Sequence, residues 1–254
     1  MKFGEPLAFH IARNIFGQYC VPSESLHRPC AIRTLKGKVW ERETIEAVRK
    51  YMRKGGIVCA GAFFGDMLPP FAKMAFPNLV WAFEPNPVNF TCASITRLIN
   101  NLGNVRLHNA GLGPASGQAQ LSTVDKAGLP LGGGSFISED GDESIAIMCI
   151  DDVVDDADVA VIQLDVEGHE APCLKGAEKT IKRCQPLIVL EHIEKDALKD
   201  EWVAALFAEV GYQELTRTNA NTIYQVPVKP SSDTGTDVGL EQPDQIILAE
   251  IQQS

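Results

Sequence analysis

The chain has no C-x-x-C pair, no run of more than two Lys or Arg residues, and no apolar stretch near the roughly 20 residues that a membrane-spanning helix needs. Each absence excludes something. The seven cysteines (20, 30, 59, 92, 149, 173 and 184) are odd in number and lack metal-knuckle spacing, so neither a disulfide framework nor a zinc site is expected. The thiols read as free, which points to the cytoplasm. A formal charge of -10, a pI near 5.0 and the lack of a basic patch argue against nucleic acid, because phosphate neutralisation supplies most of that affinity. The expected partner is a small-molecule acceptor, with no membrane involved, and a homo-oligomer is compatible with the composition. Residues 1–20 hold one Lys, an early Glu5 and a broken apolar pattern, unlike a secretory leader. There is no internal repeat, and 254 residues suffice for one large α/β domain with a full core.

Residues 1–38 are irregular, end in a strand-like Ala31-Ile32-Arg33-Thr34-Leu35, and read as a lead-in or lid. Trp40, Ile45, Val48 and Met52 recur at near-helical spacing, giving an amphipathic helix that stops at Gly55-Gly56. Strand candidates follow at 57–60, 79–83, 105–109, 145–150, 159–165 and 187–192, with helical segments between several of them, an alternation that implies a parallel sheet. The strands near 57, 80, 160 and 187 are continuous apolar runs, as central strands covered on both faces require. A helix over 200–210 ends at Gly211 and leads into a hairpin, 212–216 and 222–226. The domain is therefore expected over 39–227, with a flexible tail over 228–254 in which 245–251 forms a short docked segment.

An apolar strand, the glycine turn Ala60-Gly61-Ala62-Phe63-Phe64-Gly65-Asp66, and, about twenty residues on, a second apolar strand ending in Glu84-Pro85-Asn86-Pro87 is how a doubly wound sheet holds a nucleotide ribose. Glycine lets the ligand approach the backbone, and the carboxylate accepts from sugar hydroxyls. The turn lacks the middle glycine of G-x-G-x-x-G that makes room for a pyrophosphate. That disfavours a dinucleotide and favours S-adenosylmethionine, which carries a sulfonium and an amino acid where NAD carries phosphates. The plain structural alternatives are a tight strand-to-helix turn and a helix-capping acid ahead of Pro85.

A second constellation, Leu164-Asp165-Val166-Glu167-Gly168-His169-Glu170, ends another apolar strand. Acids at the carboxyl edge of an open sheet lie where ligands bind. Asp165 then faces the cofactor or the acceptor hydroxyl, and His169 takes a proton from an acceptor oxygen. The alternative for His169 is a surface histidine on a first helical turn, and Glu167 and Glu170 can simply complement a helix N-terminus. Glu191 and His192 end the next strand and can line the acceptor pocket. Carboxylates that cap helices are common enough that no metal is expected from Asp165, His169, Glu191 and His192.

Over roughly residues 56–226 the chain resembles the FkbM-type S-adenosylmethionine-dependent methyltransferases, which mostly methylate hydroxyl oxygens of natural products and sugars. The resemblance rests on the two motifs above, on Asn109-Ala110-Gly111-Leu112-Gly113, on Ile150-Asp151-Asp152-Val153-Val154, and on Asp165-Val166-Glu167-Gly168-His169-Glu170 followed by Leu174-Lys175-Gly176-Ala177. It implies a Rossmann-like class I α/β fold, with a mostly parallel seven-stranded sheet closed by a C-terminal antiparallel hairpin. It also implies that Gly61, Ala62, Phe63, Phe64, Gly65 and Asp66 surround the methionine portion, that Glu84 holds the ribose hydroxyls, that Asn109 and Ala110 lie near adenine, and that Asp165 lies by the sulfonium; Pro85 and Asn86 are further cofactor-binding candidates. His169, Asp165 and His192 are the catalytic candidates. The family pattern ends the first strand with Asp and places Asn after Gly-Ala, where this chain has Cys59 and Phe63. Gly128 to Phe136, with three consecutive glycines, reads as a gate over the acceptor site or as a plain surface loop. Two rival readings remain at this stage: a nicotinamide-dependent oxidoreductase, and a cofactor-binding module without catalysis.

Overall fold

A computed structural model describes residues 7–191 and 197–227. The chain opens with an antiparallel hairpin of β1 (Phe9–Arg13) and β2 (Gln18–Pro22), followed by helix α1 (Pro29–Leu35). The strand expected over 31–35 is thus a helix. Pro29 occupies its first turn, where a missing N–H leaves no bond unmade, and Cys30, Ala31 and Thr34 bury one helical face. Helix α2 (Arg42–Tyr51) buries Thr44, Ile45 and Val48 and leads into β3 (Gly56–Ala60). Then come α3 (Leu68–Ala75), β4 (Val80–Phe83), α4 (Pro87–Ile99) and β5 (Val105–His108).

Beyond β5 lies a second sheet, built from β6 (Ala110–Leu112), β7 (Gly117–Ser122), β8 (Phe136–Ile137) and β9 (Glu143–Met148) in the order β6-β9-β7-β8. The segment 145–150, expected in the main parallel alternation, belongs here instead. Within it Ile145 and Ile147 are buried while Ser144 and Ala146 are exposed, the pattern of a strand covered on one face only. Ile150 already starts α5 (Ile150–Val154). The main sheet resumes with β10 (Val159–Leu164), α6 (Glu170–Lys175), α7 (Glu178–Cys184), β11 (Leu187–Glu191), α8 (Glu201–Val210), β12 (Gln213–Arg217) and β13 (Asn221–Gln225). No helix of the described residues is long and apolar enough to cross a membrane.

The main sheet runs β12-β13-β11-β10-β3-β4-β5; β11, β10, β3, β4 and β5 are parallel, and β13 lies antiparallel to β11. Its central strands β3, β4, β10 and β11 are buried on both faces. Ile57, Cys59, Val161 and Val189 pack with Ile45, Val48, Leu68 and Phe71 on the side of α2 and α3. Val58, Ala60, Ile162, Leu164 and Ile188 pack with Leu174, Ile181, Val203 and Phe207 on the opposite side. From β3 the chain moves outward through β4 and β5, and from β10 it moves the other way through β11. The order therefore reverses between β3 and β10, and the crevice outside their carboxyl ends is where an open α/β sheet binds ligands.

Asn86 fixes the start of α4 beside this crevice. Its Oδ1 accepts from the N–H groups of Val88 (3.0 Å) and Asn89 (3.3 Å), and its Nδ2 donates to Ser135 Oγ (3.0 Å). Asn86→Ala is expected to cost about 1–2 kcal/mol by loss of the cap. A lower urea midpoint with an unchanged m-value would report it, and an unshifted midpoint would count against the capping role.

Candidate active site

At the end of β3, Gly61 adopts φ +79°, and an added Cβ would collide with the carbonyl oxygen of Asp165 at the end of β10. The two strand ends are tied by the Asp165 N–H, which donates to Ala60 O at 3.1 Å. The turn is held from the other side, where the Gly61 and Ala62 N–H groups both donate to Phe83 O, at 3.1 and 3.0 Å. Phe63 sits in the left-handed region at φ 48°, a cost of about 1–2 kcal/mol for a non-glycine residue. Its strained N–H donates to Glu84 Oε2 at 2.7 Å. Glu84 Oε1 accepts from the Asn86 N–H at 2.9 Å and from Asn89 Nδ2 at 3.4 Å. The carboxylate is 4% exposed, and burial pushes its pKa up to about 7 against the opposing pull of those N–H donors. Asn109 supports the same turn: its Nδ2 donates to the carbonyls of Glu84 (2.9 Å) and Pro85 (3.1 Å).

Two cavities open at this edge and meet at Gly61, Gly133 and Asp165. Counting the open solvent at their mouths, they span about 740 and 480 Å³. The smaller lobe is mainly apolar, with Phe83, Leu112 and Phe136 in its wall, and it holds Glu84, Pro85, Ala110 and His169. Burial pushes the His169 pKa down, so the ring favours the neutral form.

The larger lobe is acidic. Glu41, Asp66, Asp165, Glu167 and Glu191 line it with Gln163 and Trp40, and Arg28 is the cation among its lining residues. Burial, with Glu41 nearby, raises the pKa of Asp66 to about 7. Asp165 is raised further, by burial and then by the Glu191 carboxylate it faces, so Asp165 keeps its proton and donates to Glu191. Burial also raises Glu167, opposed by Arg28 at 3.7 Å. Two buried acceptors in this lobe, Gln163 Oε1 and Glu191 Oε2, have no hydrogen-bond partner among the described residues. Among those residues no group of three or more His, Cys, Asp and Glu side chains is placed to hold a metal ion.

The crevice thus brings together Gly61, Ala62, Phe63 and Asp66 in the acidic lobe, Glu84, Pro85, Ala110 and His169 in the apolar one, and Asp165 between them. Phe64 is fully buried, edge-on to Tyr19 at 6.5 Å, and Gly65 packs on Leu68 and Thr96, so both act on the turn from behind. Asn86 and Asn109 hold the backbone around Glu84. His192 lies outside the described residues. Residues singled out here by the structure alone are Arg28, Trp40, Glu41 and Gln163. The available signal for Gln163 was its polarity inside the otherwise apolar run of β10.

A doubly wound sheet with a glycine turn, a buried strand-end acid and a bilobed crevice at its switch point is the architecture in which open α/β proteins place their ligands. The Methyltransferase FkbM domain matches residues 60–214, more than half of the chain, and the chain belongs to that methyltransferase family. Hexuronic acid methyltransferase AglP of Haloferax volcanii is 31% identical over 148 residues, covering 55% of this chain and 57% of that protein. The chain thus matches just over half the length of this curated relative. The crystal structure of Methyltransferase FkbM from Methylobacillus flagellatus KT shares the fold at a TM-score of 0.51 and 19% identity, covering 69% of this chain and 45% of the other.

Proposed function

We propose that the protein transfers a methyl group from S-adenosylmethionine to a hydroxyl oxygen of a sugar or similar small polar acceptor. The observation that carries this is the bilobed crevice: its polarity follows the cofactor's own division into a nucleoside and a cationic amino-acid end. In the apolar lobe Glu84 meets the ribose hydroxyls, with Ala110 and Leu112 against the base. In the acidic lobe the carboxylates offset the sulfonium and ammonium charges, and Arg28 is available to the cofactor's carboxylate. The bound cofactor supplies an electrophilic methyl on a cationic sulfur. Gly61 and Asp165 form the narrow waist that fixes its direction, so the chain's main contribution is alignment. The likeness to a hexuronic acid methyltransferase of Haloferax volcanii supports a sugar acceptor, and the exposed part of Trp40 offers a flat face for one.

His169, expected from the sequence to take the acceptor's proton, shares its lobe with Glu84. Glu191 stands in the acidic lobe with an unpartnered oxygen. The proposed base is therefore Glu191, with Asp165 as its proton-holding neighbour and His169 as a wall of the nucleoside lobe. Arg28 and Cys30 line the acidic lobe, which supports residues 1–38 as a lid on a methyltransferase domain spanning 39–227. A second reading, a cofactor-binding module without catalysis, draws on Cys59 and the strained Phe63 in the first motif.

Calorimetric titration with S-adenosylmethionine, S-adenosylhomocysteine and NAD is expected to give heat with the first two only. His169→Ala is expected to weaken S-adenosylhomocysteine about three- to tenfold, the effect of losing one ring contact. Heat with NAD alone would overturn the cofactor assignment, and unchanged affinity in the variant would return His169 to the list of bases. Methyl transfer to a panel of uronic-acid and neutral glycosides separates the readings, since cofactor binding without transfer to any of them would favour the non-catalytic module.

A further inference from the structure

Gln163 is an anomaly in the sheet. It is the polar residue of β10, 3% exposed, in a strand whose other members are apolar and buried. In the β3–β10 register it stands directly opposite Cys59, itself 1% exposed. Both residues line the floor of the acidic lobe, beside Gly61 and Asp66. An amide oxygen taken out of water without a donor is destabilising, and a buried acceptor without a partner calls for an explanation. Its charged neighbours in the lobe do not supply that donor. Glu41, Asp66 and Glu191 make no hydrogen bond to Gln163 Oε1, and the Asp165 proton is directed to Glu191. The missing donor is one that a ligand brings.

Position matters here as much as chemistry. Gln163 lies two residues before Asp165 on the same face of β10, at the floor rather than the mouth, against the glycine turn. Cys59 stands where the family pattern ends its first strand with Asp. An acid at 59 would face Asp66, Asp165 and Glu41, and Glu41 already raises the proton affinity of both Asp66 and Asp165. A neutral amide on the neighbouring strand accepts a hydrogen bond without adding to that repulsion.

We propose that Gln163 binds the α-ammonium group of the cofactor's amino-acid end, its Oε1 accepting from β10 the bond that Cys59 cannot accept on β3. The assignment rests on the proposed use of S-adenosylmethionine. It makes Gln163 a cofactor-positioning residue whose effect appears in binding, independently of any acceptor.

The test uses the full chain, S-adenosylhomocysteine, and its deaminated analogue, which keeps the adenosine, thioether and carboxylate but lacks the ammonium. The wild-type protein is expected to prefer S-adenosylhomocysteine about tenfold, as a hydrogen bond to a charged group implies. In Gln163→Leu that preference is expected to shrink several-fold, because S-adenosylhomocysteine loses the bond to Oε1 and keeps only the attraction of the lobe's carboxylates, while the analogue binds as before. Gln163→Met, close to glutamine in length, carries the same expectation if the leucine variant does not fold. A preference undiminished in the variant overturns the proposal, as does an equal loss for both ligands, which would mark Gln163 as a packing residue. If the wild-type protein binds neither ligand, the cofactor assignment itself fails, a result distinct from either of these.

Discussion

Gly61→Ala is expected to lower stability by more than about 3 kcal/mol and to abolish S-adenosylhomocysteine binding, two effects with one geometric cause. The residue holds φ +79°, and the added methyl group would meet the Asp165 carbonyl oxygen. That oxygen belongs to backbone and cannot rotate away as a side chain could. Asp165 is tied to Ala60 at 3.1 Å, and the turn is tied to Phe83 O by two N–H groups at 3.1 and 3.0 Å. Relief therefore requires β3 and β10 to part at the switch point, the place where the two lobes meet. Gly128 is the matching control, with φ +80° and nothing within 4 Å of its added Cβ. Gly128→Ala has the left-handed backbone cost alone, about 1–2 kcal/mol. Urea denaturation of both variants separates conformational strain from collision, and a Gly61→Ala midpoint as mild as that of Gly128→Ala would remove the collision from the account.

The centre of the main sheet was legible because strands covered on both faces leave apolar runs, as in β3, β4, β11 and, Gln163 aside, β10. The second sheet left no such trace. β8 is two residues long, and β7 is exposed over most of its length, so neither carries a readable period. Helix α1 was mistaken for a strand because Ala31 to Leu35 is a short mixed segment whose informative residue, Pro29, precedes it. Within the site, Gly61, Glu84 and Asp165 were legible because a strand end in an open α/β sheet converts directly into a place in space. The lobe that His169 joins was not, although the histidine lies only four residues beyond Asp165. The chain turns through two left-handed residues between them, Glu167 at φ 53° and Gly168 at φ 92°, and this carries the histidine to the apolar lobe. Arg28, Trp40 and Glu41 reach the acidic lobe from the N-terminal segment, across a sequence distance that no local pattern encodes.

Stability of the ligand-free protein is expected to fall as pH rises from about 4.5 to 7, and Glu84 is the best-defined cause. Its ordinary pKa of 4.5 is pushed up to about 7 by burial, so across that window the folded state holds a proton that the unfolded chain has released. The stabilisation is complete below the unfolded value and is lost as pH passes up through the folded one. For Glu84 the loss is on the order of 3 kcal/mol. Asp66, raised from 3.8 to about 7 by burial and Glu41, acts with the same sign, and so do Asp165, Glu41, Glu167, Glu170 and Glu191, all raised first by burial. Glu84→Gln removes one of these groups while keeping an oxygen able to accept one of the two backbone N–H bonds. The informative readout is therefore the slope of urea-derived stability against pH, which is expected to become shallower in the variant whatever its absolute stability. Ligand affinity is expected to move the opposite way. Ribose hydroxyls bond a charged carboxylate more strongly than a neutral one, so S-adenosylhomocysteine binding should tighten as pH rises through 7 in the wild-type protein, with the Glu84 contribution absent in Glu84→Gln. His108 and His169, whose pKa values burial lowers, act with the opposite sign in part of the same window, so it is a slope unchanged by the substitution that would show Glu84 to be ionised in the folded protein well below neutrality. The opposed trends have one origin: the fold keeps Glu84 dry at the expense of its charge, and a ligand that donates to it returns that charge to use.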